Sequence, residues 1–292
     1  MRLGILCGML LLLGSGNTLA ASPAPFKLAM AMPENEAQKL REFIKDKNLL
    51  DRFSYASPLL DSEQVMEGVL VLRALALAGL PAELQISNAP NTARGREMVK
   101  NGEVVIQGST DWSTWADEFK DRVYKSSLII PNGQFQKGFY TTPEKAASIK
   151  IKTAKDLATL QVVSNSNWVV DWATLQKFKL KSLSSTASRT SMFNMIAHGH
   201  GDCTVQTFSS RPDLAITDGG VTLFPVKGVK VALSGTRYFM VSRIHPDGKK
   251  VYEALEKGLA IMMKKDDEVQ RALRESGFLN NAIRDWVLIT AD

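Results

Sequence analysis

Apolar and polar residues alternate along the chain in blocks whose lengths fit strands and helices in turn. The block 26–32 is apolar and of strand length, whereas 34–47 and 61–78 carry apolar residues at helical spacing. The predicted order is strand 26–32, helix 34–47, helix 61–78, strand 81–86, helix 92–100 and strand 104–106. Strands that alternate with helices in this way predict a parallel sheet with helices on its faces.

The later part of the chain continues the alternation. The further predicted elements are strand 161–164, helix 169–178, loop 184–188, helix 189–197, strands 203–206, 230–233 and 238–242, and helices 249–264 and 268–275. This pattern again favours helices packed on a sheet.

The segment after the strand 104–106 is the first candidate site, because ligands of open α/β sheets bind beyond the carboxyl ends of strands. Ser109, Thr110 and Asp111 offer two hydroxyls and a carboxylate there, and Trp112 offers a ring for stacking. The alternative interpretation is a capped turn, in which Asp111 caps the next helix and Trp112 packs in the core.

A second segment repeats the order helix, glycine turn, acid, strand and glutamine. The spacing from acid to glutamine is the same in both copies, Glu103 to Gln107 and Asp202 to Gln206. Two such units predict two similar lobes, although ordinary βα units can also resemble each other by chance.

Four stretches, 67–79, 94–110, 155–167 and 189–207, together resemble the type 2 periplasmic solute-binding proteins of family 3, the polar amino acid type. The resemblance implies an α/β fold of two lobes, each a sheet flanked by helices, joined by two crossing hinge segments. Lobe 1 would comprise 22–140 and 234–292, and lobe 2 would comprise 141–233. The ligand would bind in the cleft between the lobes and close it.

The resemblance also implies candidate ligand-binding residues in lobe 2. They are Asn165, Ser166, Asn167, Trp168, Arg189 and Thr207. The first four precede a predicted helix, whose N-terminus attracts anionic groups, unless they form an ordinary helix cap. Arg189 could grip a carboxylate or phosphate, or could be a solvated loop residue.

The sequence departs from the amino-acid binders of this family at two positions. Those proteins usually carry an arginine soon after the Ser/Thr of lobe 1, but here no basic residue follows Thr110 until Lys120. They often carry an aspartate for the ligand amine where this chain has Thr207. The expected ligand is therefore a small polar or aromatic-bearing solute other than a standard α-amino acid.

The N-terminus and the charge indicate the compartment and exclude some partners. Arg2, the apolar run 5–13 and the small residues 18–21 are typical of a secretory signal peptide over 1–20, which predicts a periplasmic protein. The net charge of the 292-residue chain is +6, and its basic residues are scattered among acidic ones, so nucleic-acid binding is not expected.

The glycine-flanked residues His198 and His200 are a weak metal motif, and a surface turn leading to a buried Cys203 is the preferred interpretation.

Together these observations predict a monomeric, exported binding protein that needs no cofactor or metal and passes a small-molecule ligand to an ABC permease or a membrane sensor. No nucleophile–base pair or acid pair with diagnostic spacing is present in the sequence, so an enzyme is not expected. Two alternatives stay open: a ligandless regulatory or scaffold protein with a degenerate cleft, and a dehydratase-like enzyme on the same fold.

Overall fold

The computed structural model describes residues 26–60, 62–264 and 266–291, and the predicted signal peptide over 1–20 lies outside the described residues. The α-helices are α1 (Glu34–Ile44), α2 (Glu63–Leu77), α3 (Thr92–Asn101), α4 (Ser113–Glu118), α5 (Pro143–Ser148), α6 (Val169–Gln176), α7 (Arg189–Ala197), α8 (Gly248–Lys264) and α9 (Glu268–Glu275). The strands are β1 (Phe26–Met32), β2 (Ala82–Asn88), β3 (Ile106–Gln107), β4 (Asp111–Trp112), β5 (Val123–Ile130), β6 (Gln136–Thr141), β7 (Gln161–Ser164), β8 (Ser182–Ser185), β9 (Cys203–Thr207), β10 (Ile216–Asp218), β11 (Val221–Pro225), β12 (Val229–Ala232), β13 (Arg237–Ser242) and β14 (Val287–Ile289).

The first sheet places the carboxyl ends of three strands at one edge. β1 lies between β2 and β3 and runs parallel to both. β13 continues the sheet antiparallel to β3, and β4 and β5 each pair antiparallel with β13. Because β1, β2 and β3 are parallel, the segments that follow them meet on the same side of the sheet.

The core of the first lobe lies around α2, whose residues are buried over nearly its whole length. Its side chains, with those of β1, β5, β13, α8 and α9, form one continuous apolar cluster. A helix that is apolar on all sides is stable only when other elements cover it, which explains why α8 packs along α2.

The second sheet has a mixed arrangement, in the order β10-β11-β6-β9-β7-β8. β7 runs parallel to β8 and β9, whereas β6 runs antiparallel to β9 and to β12. β14 adds to β12 in parallel. Two sheets flanked by helices therefore make up the molecule, as the sequence predicts.

The two sheets divide the chain at positions that differ from the predicted lobe limits. β6 belongs to the second sheet, because it pairs with β9 and β12, although the sequence predicts lobe 1 to extend over 22–140. β14 belongs there too, since Val229 pairs with Val287. We propose that lobe 1 comprises 26–130 and 234–279 and that lobe 2 comprises 136–232 and 283–291. The chain then crosses between the sheets three times instead of twice.

Several predicted elements are confirmed with the predicted bounds. They are the strands 26–32 and 161–164 and the helices 189–197 and 268–275. Asn91 caps α3 by accepting a hydrogen bond from the Arg94 N–H, and Gly102 ends the helix with a φ of 77°. The loop prediction over 184–188 is wrong for Ser184 and Ser185, which pair with β7 as part of β8. The polar residues of that edge strand have the composition of a loop.

Candidate functional site

A small depression lies where β1, β2 and β3 end. Its cavity volume is about 10 Å³, roughly the room that a single water needs, and it is partly open to solvent. Its lining comprises Ala31, Met32, Pro33, Gln64, Ala89, Asn91, Thr92, Gly95, Gln107, Gly108 and Ser109. Sites for small molecules usually measure roughly 300–1,000 Å³, so this depression alone is too small for a solute and would need a second surface to form a binding site.

Gln107 is the most unusual residue of this depression. It is 2% exposed, and neither its amide nitrogen nor its amide oxygen has a hydrogen-bond partner among the described residues. Gly95 of α3 makes room for it, because a Cβ at that position would lie 3.1 Å from the amide oxygen. A buried amide without partners costs about 1–3 kcal/mol, so the side chain is suited to a water or a polar ligand group that enters the depression.

Thr110 is fully buried, and both of its donors are already engaged. Its backbone N–H donates to Oε2 of Glu67 over 2.8 Å, and its hydroxyl donates to Oε1 over 2.6 Å. Glu67 comes from the first half of α2 and is 0% exposed. The predicted ligand-binding hydroxyl therefore holds a carboxylate of the chain itself.

Arg237 supplies the positive charge that the sequence lacks near Thr110. It donates from Nη2 to the carbonyl oxygen of Thr110 over 2.6 Å and from Nη1 to Glu63 over 3.0 Å. Its Nη2 lies 4.0 Å from Oε2 of Glu67. Burial lowers the pKa of Arg237, but the neighbouring carboxylates, Glu63 foremost, raise it above its ordinary value.

Burial also determines the charge of Glu67. Desolvation raises the pKa of this carboxyl to about 7, while Arg237 and the hydrogen bonds from Thr110 oppose the rise. Glu67 is thus ionised only near and above neutral pH.

Asp111 is 2% exposed and forms a bidentate ion pair with Arg96 of α3, with distances of 2.6 and 3.0 Å. The alternative in which it caps the next helix is wrong, because the residue before α4 is Trp112 and no side chain caps that helix. The charge of Asp111 is therefore neutralised inside lobe 1 rather than offered to a ligand.

Trp112 and Trp168 are linked by contacts at the first segment that crosses between the sheets, residues 131–135. The ring of Trp112 is 5.4 Å from that of Phe135. The ammonium group of Lys137 lies 5.5 Å from the Phe135 ring and 5.3 Å from the Trp168 ring. This chain of contacts brings a predicted residue of each lobe to the same region between the sheets, and both tryptophans are half-buried.

The segment between β7 and α6 forms the turn expected in lobe 2. The side chain of Asn165 accepts a hydrogen bond from the backbone N–H of Asn167 and donates to the carbonyl oxygen of Ala187. Ser166 is exposed and contacts the hydroxyl of Ser185 over 3.0 Å. Asn167 is exposed beside it. These bonds fix a polar turn at the carboxyl ends of β7 and β8.

Arg189 and Thr207 occupy different surroundings. Arg189 is exposed and paired with Asp218 over 2.6 Å, and its guanidinium lies over the Phe193 ring. Thr207 is half-buried and pairs in the sheet with Lys137, whose ammonium group lies near the Trp168 ring. Thr207 and Trp168 thus share the neighbour Lys137, whereas Arg189 pairs with Asp218 of β10.

The histidine-rich turn leads into β9, where Cys203 is fully buried. Burial raises the pKa of its thiol to about 12, which keeps it protonated. The part of the chain that the structure describes contains no group of three or more His, Cys, Asp or Glu residues that could hold a metal ion.

Sequence reasoning missed Glu67, Arg96 and Arg237. A charged residue inside the apolar run of α2 was a signal for Glu67, since such a residue needs a buried partner. Arg96 stands on the same face of α3 as the buried Val99, which was a weaker signal. Arg237 carried none, because it reaches Thr110 from a strand 127 positions later.

Comparison with known proteins shows the fold. No protein-family model matches the chain, and no curated protein matches it by sequence. Among solved structures, the chain is similar to YtmK of Bacillus subtilis, a "probable amino-acid ABC transporter extracellular-binding protein", with 11% identity and a TM-score of 0.55 over 86% of this chain and 98% of YtmK. It is also similar to YckB of Bacillus subtilis, with 13% identity and a TM-score of 0.50 over 91% of this chain and 96% of YckB.

At these identities the likeness shows a shared fold. The chain has the two-lobed α/β fold of type 2 periplasmic binding proteins. Among the described residues, no helix has the length and apolar character that a membrane crossing requires.

Proposed function

We propose that this chain is an exported, monomeric solute-binding protein. Its cleft captures a small polar or aromatic-bearing solute between the lobes and presents it to an ABC permease or a membrane sensor. Binding rather than catalysis is its role. The observation that carries the proposal is Gln107, a buried amide without partners that lines the depression at the strand ends of lobe 1.

The second surface of the proposed site comes from lobe 2. The turn of Asn165, Ser166 and Asn167 offers polar groups, and Trp168 offers a half-exposed ring. Phe135 and Lys137 link Trp112 to Trp168, and Thr207 is the sheet partner of Lys137. A solute held by Gln107 and Ser109 from one side and by this turn from the other would need the two lobes to close.

The likeness to a protein described as an amino-acid ABC transporter binding protein supports a transport role for the same fold. A fold alone does not assign a ligand, because function resides in the site. The donors of Thr110, which Glu67 occupies, and the threonine at position 207 in place of an aspartate are the reasons to look beyond α-amino acids.

A thermal-shift screen of polyamines, short peptides, aromatic acids, sugars and amino acids tests the proposal. A solute that binds only the folded state raises the Tm with its concentration. We expect at least one class to stabilise the wild type and the shift to be lost in Gln107→Leu, which keeps the size of the side chain but removes its amide.

Gln206→Leu is the matched control. Gln206 is the equivalent glutamine of the second repeat and is also buried, but its amide donates to Thr204 over 3.0 Å. Its replacement is expected to lower stability while leaving the solute-induced shift intact. A solute that stabilises the wild type and Gln107→Leu equally would contradict the assignment of Gln107.

A ligandless regulatory or scaffold protein is the second candidate function. Two contacts favour it: Thr110 is committed to Glu67, and Asp111 is committed to Arg96. Under this function no class in the screen would raise the Tm, and the protein would still bind its membrane partner.

A further inference from the structure

The donors of Thr110 converge on a single carboxylate. The backbone N–H and the hydroxyl of this residue bind the two different oxygens of Glu67, over 2.8 and 2.6 Å. The guanidinium of Arg237 stands 4.0 Å from the same carboxylate and donates to the carbonyl oxygen of Thr110. One carboxylate is therefore surrounded by a peptide N–H, a hydroxyl and an arginine.

This set of donors is the one that a carboxylate ligand requires. Charge-assisted hydrogen bonds from a backbone N–H and a hydroxyl, with a guanidinium nearby as the opposite charge, are strong interactions by which proteins bind carboxylates. Here the carboxylate comes from α2, and it is fully buried. Gly68, the next residue, lets α2 pack closely against α1 and β1, because a Cβ there would lie 3.0 Å from Leu40 and 3.1 Å from Met32.

We propose that Glu67 is an internal carboxylate that occupies the carboxylate-binding donors of lobe 1 and thereby excludes α-amino acids from them. This inference rests on the proposed function and narrows it: the cleft takes solutes that present no carboxylate to lobe 1. Glu67 acts as a specificity-determining residue.

The surrounding charges reinforce the exclusion. Glu63, Glu67 and Asp111 already place three carboxylates at this end of lobe 1. The two nearby guanidinium groups are both engaged, Arg96 by Asp111 and Arg237 by Glu63 and Thr110. A further carboxylate would meet like charges in a desolvated site without a new cation, which is unfavourable.

Removal of the internal carboxylate should leave a site that small carboxylates can fill. The Tm of Glu67→Ala is measured with increasing acetate, propionate or glycine, roughly one pH unit above the pKa of Glu67, with chloride at equal ionic strength as the reference. We expect a saturable rise in Tm for Glu67→Ala that chloride does not give. The wild type and the double variant Glu67→Ala/Thr110→Val should lack it.

Glu253→Ala is the matched control, because Glu253 is a glutamate on the exposed side of α8. It should respond to acetate as the wild type does. No carboxylate-specific rise in Glu67→Ala, or an equal rise in the wild type, would overturn the proposal.

If Glu67→Ala does not fold, a measurement on the wild type tests whether Glu67 occupies the donors of Thr110. The Thr110 amide resonance is followed by NMR while acetate or glycine is added. It should not move, since its proton is bonded to Glu67; a saturable movement would overturn the proposal. Neither readout needs the natural solute. If no solute in the screen raises the Tm but acetate raises the Tm of Glu67→Ala, only the proposed function is contradicted. If a solute raises the Tm of the wild type but acetate does not raise that of Glu67→Ala, only the role of Glu67 is contradicted.

Discussion

Two opposing effects set the charge of Glu67 near neutral pH. Full burial raises its pKa, whereas one ion pair and two hydrogen bonds lower it. Burial raises its pKa to about 7, and Arg237 and Thr110 hold it below the value that burial alone would give. Glu63 acts in the opposite direction to Arg237, because a second carboxylate disfavours ionisation. The charge of the internal carboxylate therefore changes with pH around neutrality.

The stability of the wild type should depend on pH through this group. In the unfolded chain the pKa of Glu67 is the ordinary 4.5, whereas in the folded protein it is about 7. The folded state binds more protons between these values, so the contribution of Glu67 to stability is full below pH 4.5 and falls as the pH rises through about 7. The slope is at most about 1.4 kcal/mol per pH unit.

Chemical denaturation of the wild type and of Glu67→Gln across this range measures the effect. Glu67→Gln cannot titrate, so the free energy of unfolding of the wild type should fall relative to that of the variant as the pH rises, and the difference should level off above the folded pKa. A difference that is constant with pH would show that folding leaves the pKa of Glu67 at its ordinary value, and would contradict the shift to about 7.

The sequence predicts where single site residues lie better than it predicts which residues they bind. Ser109 to Trp112 lie at a strand end, as the pattern of one strand predicts. Glu67 and Arg237 reach Thr110 from 43 and 127 positions away, and such distant pairs follow from tertiary packing alone. The apparent lack of an arginine near Thr110 was a property of the sequence order and not of the folded site.

α2 and α8 pack closely because a glycine lies at their contact. A Cβ at Gly258 of α8 would overlap the carbonyl oxygen of Ala74 in α2. Both helices contribute to the apolar cluster that supports the first sheet, so their separation affects the strand ends at the depression. Packed cores transmit such changes because they contain little free space.

Gly258→Ala should destabilise the protein although alanine favours helices by about 1 kcal/mol over glycine. The overlap with backbone atoms forces the helices apart, at an expected net cost of roughly 3 kcal/mol. Glu253→Ala in the same helix is the control, because its side chain is 64% exposed, and should change stability by less than about 0.5 kcal/mol. Denaturant unfolding of both variants checks the difference; equal stabilities would contradict the packing described for α2 and α8.

Elements with regular apolar spacing are predicted better from the sequence than most short strands. β1, α7 and α9 have the predicted bounds because their apolar periodicity ends where the element ends. β10, β11 and β14 have three to five residues each, too few for a period to show, although β7 has the predicted bounds with only four residues. β14 also pairs with β12 from the other end of its lobe, a contact that only the folded chain defines.

The whole molecule consists of two lobes joined by three crossing segments whose side chains meet. Phe135 and Leu233 lie in the first two crossings and share one apolar cluster with Phe278, which shortly precedes the third crossing. The Phe135 and Phe278 rings are 5.1 Å apart, and Leu233 donates its N–H to the carbonyl oxygen of Phe135. Asn280 further binds the carbonyl oxygen of Ser209 in lobe 2. These contacts between the lobes would act as the hinge if the lobes close around a solute.

Amide NMR spectra of the isotope-labelled protein, recorded with each solute class of the screen, show whether a solute binds between the lobes. At least one polar or aromatic-bearing solute should shift the amide resonances of 107–109 and of 165–168 together and saturably, because residues of both lobes close on it, while the Thr110 amide, bonded to Glu67, should move least. Binding in the cleft would be ruled out if no solute shifted both groups, or if the responding residues lay only outside the cleft.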